Sequence, residues 1–535
     1  MARGSKLAGA GVLACLWVAG TASAQGCPDY STYSTQPHQP LSSGSFQLGY
    51  MRPDPGCRTF NLSEVESTIA AMAGSIADPD LYRLFLNAFP NTLDTAIRWK
   101  GTAADNPDEE LTFVITGDID AMWLRDSANQ MQSYKSLLKA STDRNSLASL
   151  YRGVINLQAR YLLESPFCNS FQPPVESGIA PATNGAATDD TVTPPYNASL
   201  VFECKYELDS LAAFLEVSAD YFSATGDTAF FGKFNWLAAL QAVINTATSM
   251  MTPTYGSNGT VLASPYTFTR LTTRSTETLA NNGLGSPVAA GTGLIRSAFR
   301  PSDDSTLLQF FIPANMMFSH YLEQTAKIVD KLGSTAPAAL GAHMHAFAAE
   351  LREAVLHHGI VPDPNAGEFA ALVYAYEVDG FGSSIIMDDA NIPSLLSAPF
   401  FGFTSISDPV YQNTRGAILS DTPRPGPAQY NSNPYYMHGP VISGVGGPHQ
   451  GPGYAWPMAS IVRILTSDDD DEIVDQLQML VSSTGGLGLI HESVNTFDQN
   501  TWTRQWFSWA NGLFGQMILD LKERKPDLLK MSYQP

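Results

Sequence analysis

Apolar residues recur at helical spacing along most of this chain, and that repetition limits its folds more than any other feature. Val65, Ile69, Met72 and Ile76 are spaced 4, 3 and 4, one face of a helix. Leu147, Leu150, Val154, Leu157 and Tyr161 repeat the stripe. So do Leu208, Leu211 and Leu215, and then Met344, Phe347, Leu351 and Val355. Each apolar face has to be buried against a neighbouring element. Ser63 and Glu66 make a capping-box pattern at the head of the first stripe. Asp468 to Asp471 precede Ile473, Leu477 and Leu480; negative charge favours a helix N-terminus, so the run reads as a solvated cap rather than a calcium site. Segments 165–200, 252–298 and 402–453 are rich in Gly, Pro, Asn and Thr, do not repeat, and read as loop insertions. No composition break divides the chain. An all-α ring of helix pairs accommodates one domain of this size.

The first 24 residues read as an export signal: Arg3 and Lys6, an apolar stretch from Leu7 to Gly20, then Ala22-Ser-Ala24 before Gln25. The stretch is short against the roughly 20 residues of a membrane span, and an uncleaved anchor is the rival reading. Residues 25–57 read as an extended lead-in and 58–535 as a single domain. Cys15 leaves with the signal, and Cys27, Cys57, Cys168 and Cys204 remain. Four cysteines allow three pairings; proximity along the chain favours Cys27–Cys57 and Cys168–Cys204. A zinc site is the alternative, though no Cys-x-x-Cys is present. Asn61, Asn197 and Asn258 head glycosylation sequons. A formal charge of −21 argues against nucleic acid as a partner and suits neutral ligands, although it serves solubility equally well. The expectation is a monomer, secreted or held in the secretory pathway.

Several stretches gather acids, Arg, His and aromatics without apolar periodicity. Thr116 to Ser127 carries Trp123, Arg125 and Asp126, which reads either as a sugar contact or as an ion pair capping a helix near Ser127. Cys204 to Ser210 carries Glu207 and Asp209 at the entry to a helix. Phe299-Arg-Pro-Ser-Asp-Asp304 carries Arg300, Asp303 and Asp304 ahead of a helix-like run ending at Ile312-Pro-Ala-Asn315. Met387 to Pro393 carries Asp388, Asp389 and Asn391; Gly447 to Gly451 carries His449 and Gln450, followed by Trp456. His491-Glu492-Ser493 is followed by Arg504, Trp506 and Trp509. Sugar sites need this mixture: aromatic rings for the apolar faces of a pyranose, planar polar groups for its hydroxyls, and two carboxyls flanking the scissile bond. Residue types alone do not choose the pair.

In this order, Gly117-Asp-Ile, Met122-Trp-Leu-Arg-Asp-Ser127, Tyr206-Glu-Leu-Asp-Ser210, Phe299-Arg-Pro-Ser-Asp-Asp304, Met387-Asp-Asp-Ala-Asn391, His449-Gln-Gly451, Trp456-Pro, His491-Glu-Ser493, Thr503-Arg-Gln-Trp506 and Trp509-Ala-Asn511 resemble glycoside hydrolase family 125, the exo-α-1,6-mannosidases, over roughly residues 60–525. The resemblance implies an (α/α)6 toroid, an inverting mechanism and no metal or other cofactor. It implies Glu492 as general base and Asp303 or Asp304 as general acid, Asp209 being a weaker candidate. Inversion would set acid and base about 6.5–9.5 Å apart. The remaining residues named above would bind a mannose-containing oligosaccharide or glycan. A metal-dependent mannosidase is one rival; its candidate ligands His343, His345, His357 and His358 fall on an ordinary amphipathic stripe. A non-catalytic mannoside-binding protein is the other. A serine hydrolase lacks its Gly-x-Ser-x-Gly elbow.

Overall fold

The computed structural model describes residues 26–364, 371–419 and 433–535; the expected export signal and part of the 402–453 insertion lie outside them. Twelve helices of nine or more residues run through this part of the chain. They are α1 (Ser63–Met72), α2 (Pro79–Ala88), α3 (Leu124–Gln132), α4 (Leu147–Glu164), α5 (Leu208–Thr225), α6 (Trp236–Ser249), α7 (Ile312–Leu332), α8 (Leu340–His358), α9 (Pro409–Leu419), α10 (Pro457–Leu465), α11 (Asp470–Ser482) and α12 (Ser508–Arg524). The chain forms a six-hairpin toroid. Helix α5 packs on α3 and α7, and α12 packs on α10, α3 and α2, which closes the ring. Every residue of α3 is buried, whereas α8 buries one stripe that includes Met344, Phe347, Leu351 and Val355. The mostly buried, turn-rich stretch 390–403 packs on α7, with Gly402 against His320.

Short strands lead into the inner helices. Helix α3 follows β1 (Met122–Trp123), which pairs antiparallel with β2 (Ser170–Phe171), itself paired with β3 (Val201–Glu203). Strand β4 (Phe310–Phe311) enters α7 and pairs with β5 (Glu377–Val378). Strand β6 (Tyr454–Ala455) precedes α10 and pairs with β7 (Val494–Asn495). Each strand fixes the direction in which the chain drops into the ring.

Three local expectations are corrected. Ser63 and Glu66 make no capping box: Glu66 instead accepts from Arg52 Nη1 at 3.0 Å and Arg58 Nη1 at 3.1 Å, because two guanidinium groups attract a carboxylate more strongly than one backbone N–H. Helix α3 begins at Leu124, not near Ser127, whose hydroxyl donates back to Trp123 O at 2.7 Å. Ile312-Pro-Ala-Asn315 opens α7 rather than closing a helix, since proline fits a first turn and not a last one. The acidic run does cap: Asp469 accepts from the N–H groups of Asp471 and Glu472.

Both cystines form as expected, Cys27–Cys57 and Cys168–Cys204, with Cα atoms 5.4 and 4.0 Å apart. Asn61, Asn197 and Asn258 are exposed. The lead-in is tied down. Tyr30 Oη donates to Met51 O at 2.9 Å, its ring meets Trp506 edge-on at 4.9 Å, and Gln505 Nε2 donates to Ser31 O at 2.8 Å. Among the described residues no helix is long and apolar enough to cross a membrane.

Candidate active site

One cleft opens at the end of the ring where the strands enter the inner helices. Trp123, Arg125, Asp126, Asp303, Asn391, His449, Trp456, Glu492, Arg504 and Trp509 line it, so ten of the expected residues converge from six separate segments.

Asp303 and Glu492 come from different loops and share no hydrogen-bond partner among the described residues. Asp303 keeps 26 % of its side chain exposed and accepts from Asn169 Nδ2 at 3.1 Å and Trp123 Nε1 at 3.4 Å. Burial would raise its pKa, but Lys205 and Arg125 outweigh burial and hold it below the usual range. Asp304 turns the other way. It is 2 % exposed, accepts from Ser302 Oγ at 3.1 Å, and stands 3.7 Å from His449 Nδ1. Glu492 accepts from Thr503 Oγ1 at 2.7 Å and from Arg504 Nη1 at 3.2 Å. Arg504 is itself anchored by its Nε on Asp118 at 3.0 Å.

A layer of buried charge backs the cleft. Arg125, in the first turn of α3, donates through Nη1 to Glu207 at 2.6 Å and Asp209 at 3.0 Å, so its role is not to cap that helix. Burial drives the Glu207 pKa far upward against the pull of Arg125, and Asp303 and Asp209 add to the rise. Asp126 is pushed up to about 6 by burial, against Arg125. Burial would lower His449, yet Asp304, Glu492 and Asp303 together raise it to about 9. Four buried N–H donors on cleft-lining residues, Arg125 Nε, Trp456 Nε1, Trp509 Nε1 and Asn391 Nδ2, have no hydrogen-bond partner among the described residues.

Other expected residues stand behind the cleft or away from it. Arg300 donates to Glu377 at 2.6 Å and lies over the Tyr376 ring, fixing the loop that carries Asp303. Asp389, raised to about 6 by burial and by Asp304, accepts from Ser302 Oγ at 3.0 Å. Asp388 spends both oxygens on the N–H groups of Leu395 and Leu396. Gln450 is half-buried beside His449 and does not reach the cleft. His491 stacks on Trp502 at 4.4 Å, bonds Gln505 O, and is lowered to about 4 by burial. Trp506 is 1 % exposed among Met51, Leu487 and Leu489. Its ring lies under Gly117, where a Cβ would approach Nε1 to 3.0 Å and φ is +126°. Both aromatic side chains are packed behind the cleft and are not among its lining residues; they brace the segments that present Glu492 and Asp118.

Asn169 and Lys205 were not among the expected site residues, yet they hold Asp303. Asn169 carries no motif of its own; only its place beside Cys168 marks it. Among the described residues no group of three or more His, Cys, Asp or Glu is placed to hold a metal ion. His345 of α8 bonds Glu323 at 2.6 Å and Asp330 at 3.0 Å, away from the cleft.

A profile of the metal-independent α-mannosidases, glycoside hydrolase family 125, matches residues 78–519. The meiotically up-regulated gene 157 protein of Schizosaccharomyces pombe is 48% identical over 505 residues, 94% of each chain. A Streptococcus pneumoniae metal-independent α-mannosidase, solved in a non-productive complex with α-1,6-mannobiose, superposes with a TM-score of 0.70. It is 32% identical, and the match covers 86% of this chain and 99% of that one.

Proposed function

Because this chain belongs to the metal-independent α-mannosidases of glycoside hydrolase family 125, we propose that it releases terminal mannose from the non-reducing end of α-mannosides, α-1,6-linked ones above others, with inversion. The observation that carries this reading is that Asp303 and Glu492 open into one cleft while Asp304 is turned into the protein. Asp303 protonates the leaving oxygen as the bond to the anomeric carbon breaks. A water attacks that carbon from the opposite face and gives its proton to Glu492. Lys205 and Arg125 hold the Asp303 pKa below the usual carboxylate range, whereas burial raises Glu207 against the pull of Arg125. Asp303 takes the proton it donates from this more basic neighbour, and the Arg125 guanidinium, 2.6 Å from Glu207, offsets part of the cost of the charge left there.

Substrate recognition follows from the free donors. A buried N–H without a partner is costly, and the hydroxyl oxygens of a pyranose satisfy Trp456, Trp509 and Asn391 together. Trp123 and Phe507, also on the wall, offer apolar surface for a sugar face. The preference for α-1,6 linkages rests on the disaccharide bound by the Streptococcus protein. The paired cysteines and exposed sequons support an exported enzyme that acts on mannose-containing glycans.

The test follows mannobiose cleavage by proton NMR, for the wild type and for Glu492→Gln. The wild type is expected to release β-mannose first. The variant is expected to keep its fold and its affinity while losing turnover by roughly 10³-fold or more. Early α-mannose would rule out inversion; a near-normal rate in the variant would remove Glu492 from its role.

A further inference from the structure

Asp303 sits in the left-handed backbone region, with φ +64°. Residues with a side chain adopt that state rarely, and it persists where the surroundings hold it. Asp303 is held at both ends. Asn169 Nδ2 donates to its carboxylate at 3.1 Å, and Lys205 Nζ donates to its own backbone carbonyl at 2.9 Å. These two partners are also joined to each other, since the Lys205 N–H donates to Asn169 Oδ1 at 3.0 Å. Both are buried, at 0 % and 4 % exposure. Each directly follows one half of the same cystine: Asn169 follows Cys168, and Lys205 follows Cys204.

We propose that the Cys168–Cys204 bond is a positioning device for the proton donor, with Asn169 and Lys205 as the positioning residues that transmit it. The inference rests on reading Asp303 as the donor. The 35 residues between the two cysteines hold most of the loop insertion 165–200, so without the cross-link short β2–β3 pairing and the Lys205 N–H to Asn169 Oδ1 bond are left to keep Asn169 and Lys205 in register. The cystine makes them one unit, and that unit aims the Asp303 carboxyl into the cleft. Asn169 also donates to Glu207 Oε1 at 3.1 Å, so the same clamp keeps the two acids that share the proton side by side. The other cystine, Cys27–Cys57, ties the lead-in and touches neither catalytic carboxyl.

Leaving-group dependence separates positioning from plain stability. A mannobiose needs a proton on its departing oxygen, whereas a 2,4-dinitrophenyl α-mannoside expels a stable phenolate without one. The experiment compares kcat and KM on both substrates for four proteins: Cys168→Ala/Cys204→Ala, Asn169→Ala, Cys27→Ala/Cys57→Ala and Asp303→Asn. The first two are expected to lose roughly 10²-fold in kcat on mannobiose, the scale of a misplaced catalytic group. Their KM should hold, and the dinitrophenyl rate should stay within a few-fold of wild type. Their mannobiose pH profile should also lose its alkaline limb. Cys27→Ala/Cys57→Ala should keep both rates. Parallel losses on both substrates, or none on either, would overturn the proposal, and Asn169→Ala decides it even where the double cysteine variant fails to fold. Asp303→Asn tells the two ideas apart. If it shows the leaving-group pattern and the clamp variants do not, only the clamp is wrong; if it does not show it, the donor assignment falls and takes the clamp with it.

Discussion

Asp303 and Asp304 are neighbours in the chain, yet they face opposite environments, and the left-handed turn at Asp303 is the reason. Asp304 is used instead to charge His449. The sign of that coupling follows from the shift. His449 is raised to about 9 in the folded protein, above the roughly 6.5 of a free imidazole. Its contribution to stability is therefore complete below about pH 6.5 and is lost as pH climbs through about 9. NMR titration of the ring should find a midpoint near 9 in the wild type and a lower one in Asp304→Asn; a wild-type midpoint at or below an ordinary imidazole's would refute the coupling. At this scale the sequence was informative about residue type and weak about direction. Glu492, Arg125 and Trp456 face the cleft as expected. Trp506 and His491 belong to the same aromatic-rich motif but point into packing, and spacing along a loop carries no period from which facing could be read. The choice between Asp303 and Asp304 depends on one backbone angle.

At the scale of elements, two inner helices repeat one device. In the first turn of α7, Asn315 accepts from the Ile295 N–H at 2.9 Å and donates to Ile295 O at 2.9 Å. In the first turn of α12, Asn511 accepts from Ile490 N–H at 3.0 Å and donates to Ile490 O at 2.9 Å. Each Asn also donates at 2.8 Å to the carbonyl four residues before it, Phe311 or Phe507. An amide side chain can do this because it mimics a peptide group, donor and acceptor together. The two clamped segments are those that run on to Asp303 and to Glu492. Replacing either Asn by Ala strands a buried N–H and C=O and should cost about 1–3 kcal/mol in urea unfolding. Asn511→Ala should lose more kcat than Asn315→Ala, because Glu492 lies two residues from its clamp and Asp303 eight. Equal losses would show that the clamps act on stability alone. The apolar stripes disclosed α1, α4, α5, α8 and α11, but no stripe marked α7 or α12; their starts, the clamps and the short strands are tertiary choices that periodicity does not encode.

For the whole molecule, the ring depends on how closely its last inner helix meets its first elements. Gly515 of α12 lies against Phe89, where a Cβ would come within 2.7 Å of the Phe89 Cα. Gly515→Ala therefore pushes on backbone that cannot swing aside, and should lower stability by about 1–3 kcal/mol. Thermal unfolding should show a clear fall in Tm, and an unchanged Tm would mean that the seam has slack. The stripes made a helical fold legible, and the toroid followed from the resemblance carried by the ordered motifs. The lead-in was not legible: its composition suggested only an approach to the fold, whereas its rings and carbonyls meet Trp506 and Gln505. A protease that nicks this N-terminal strap, or a fusion partner spliced in at residue 58, would leave every catalytic side chain in the polypeptide and still undermine the floor beneath the segment carrying Arg504.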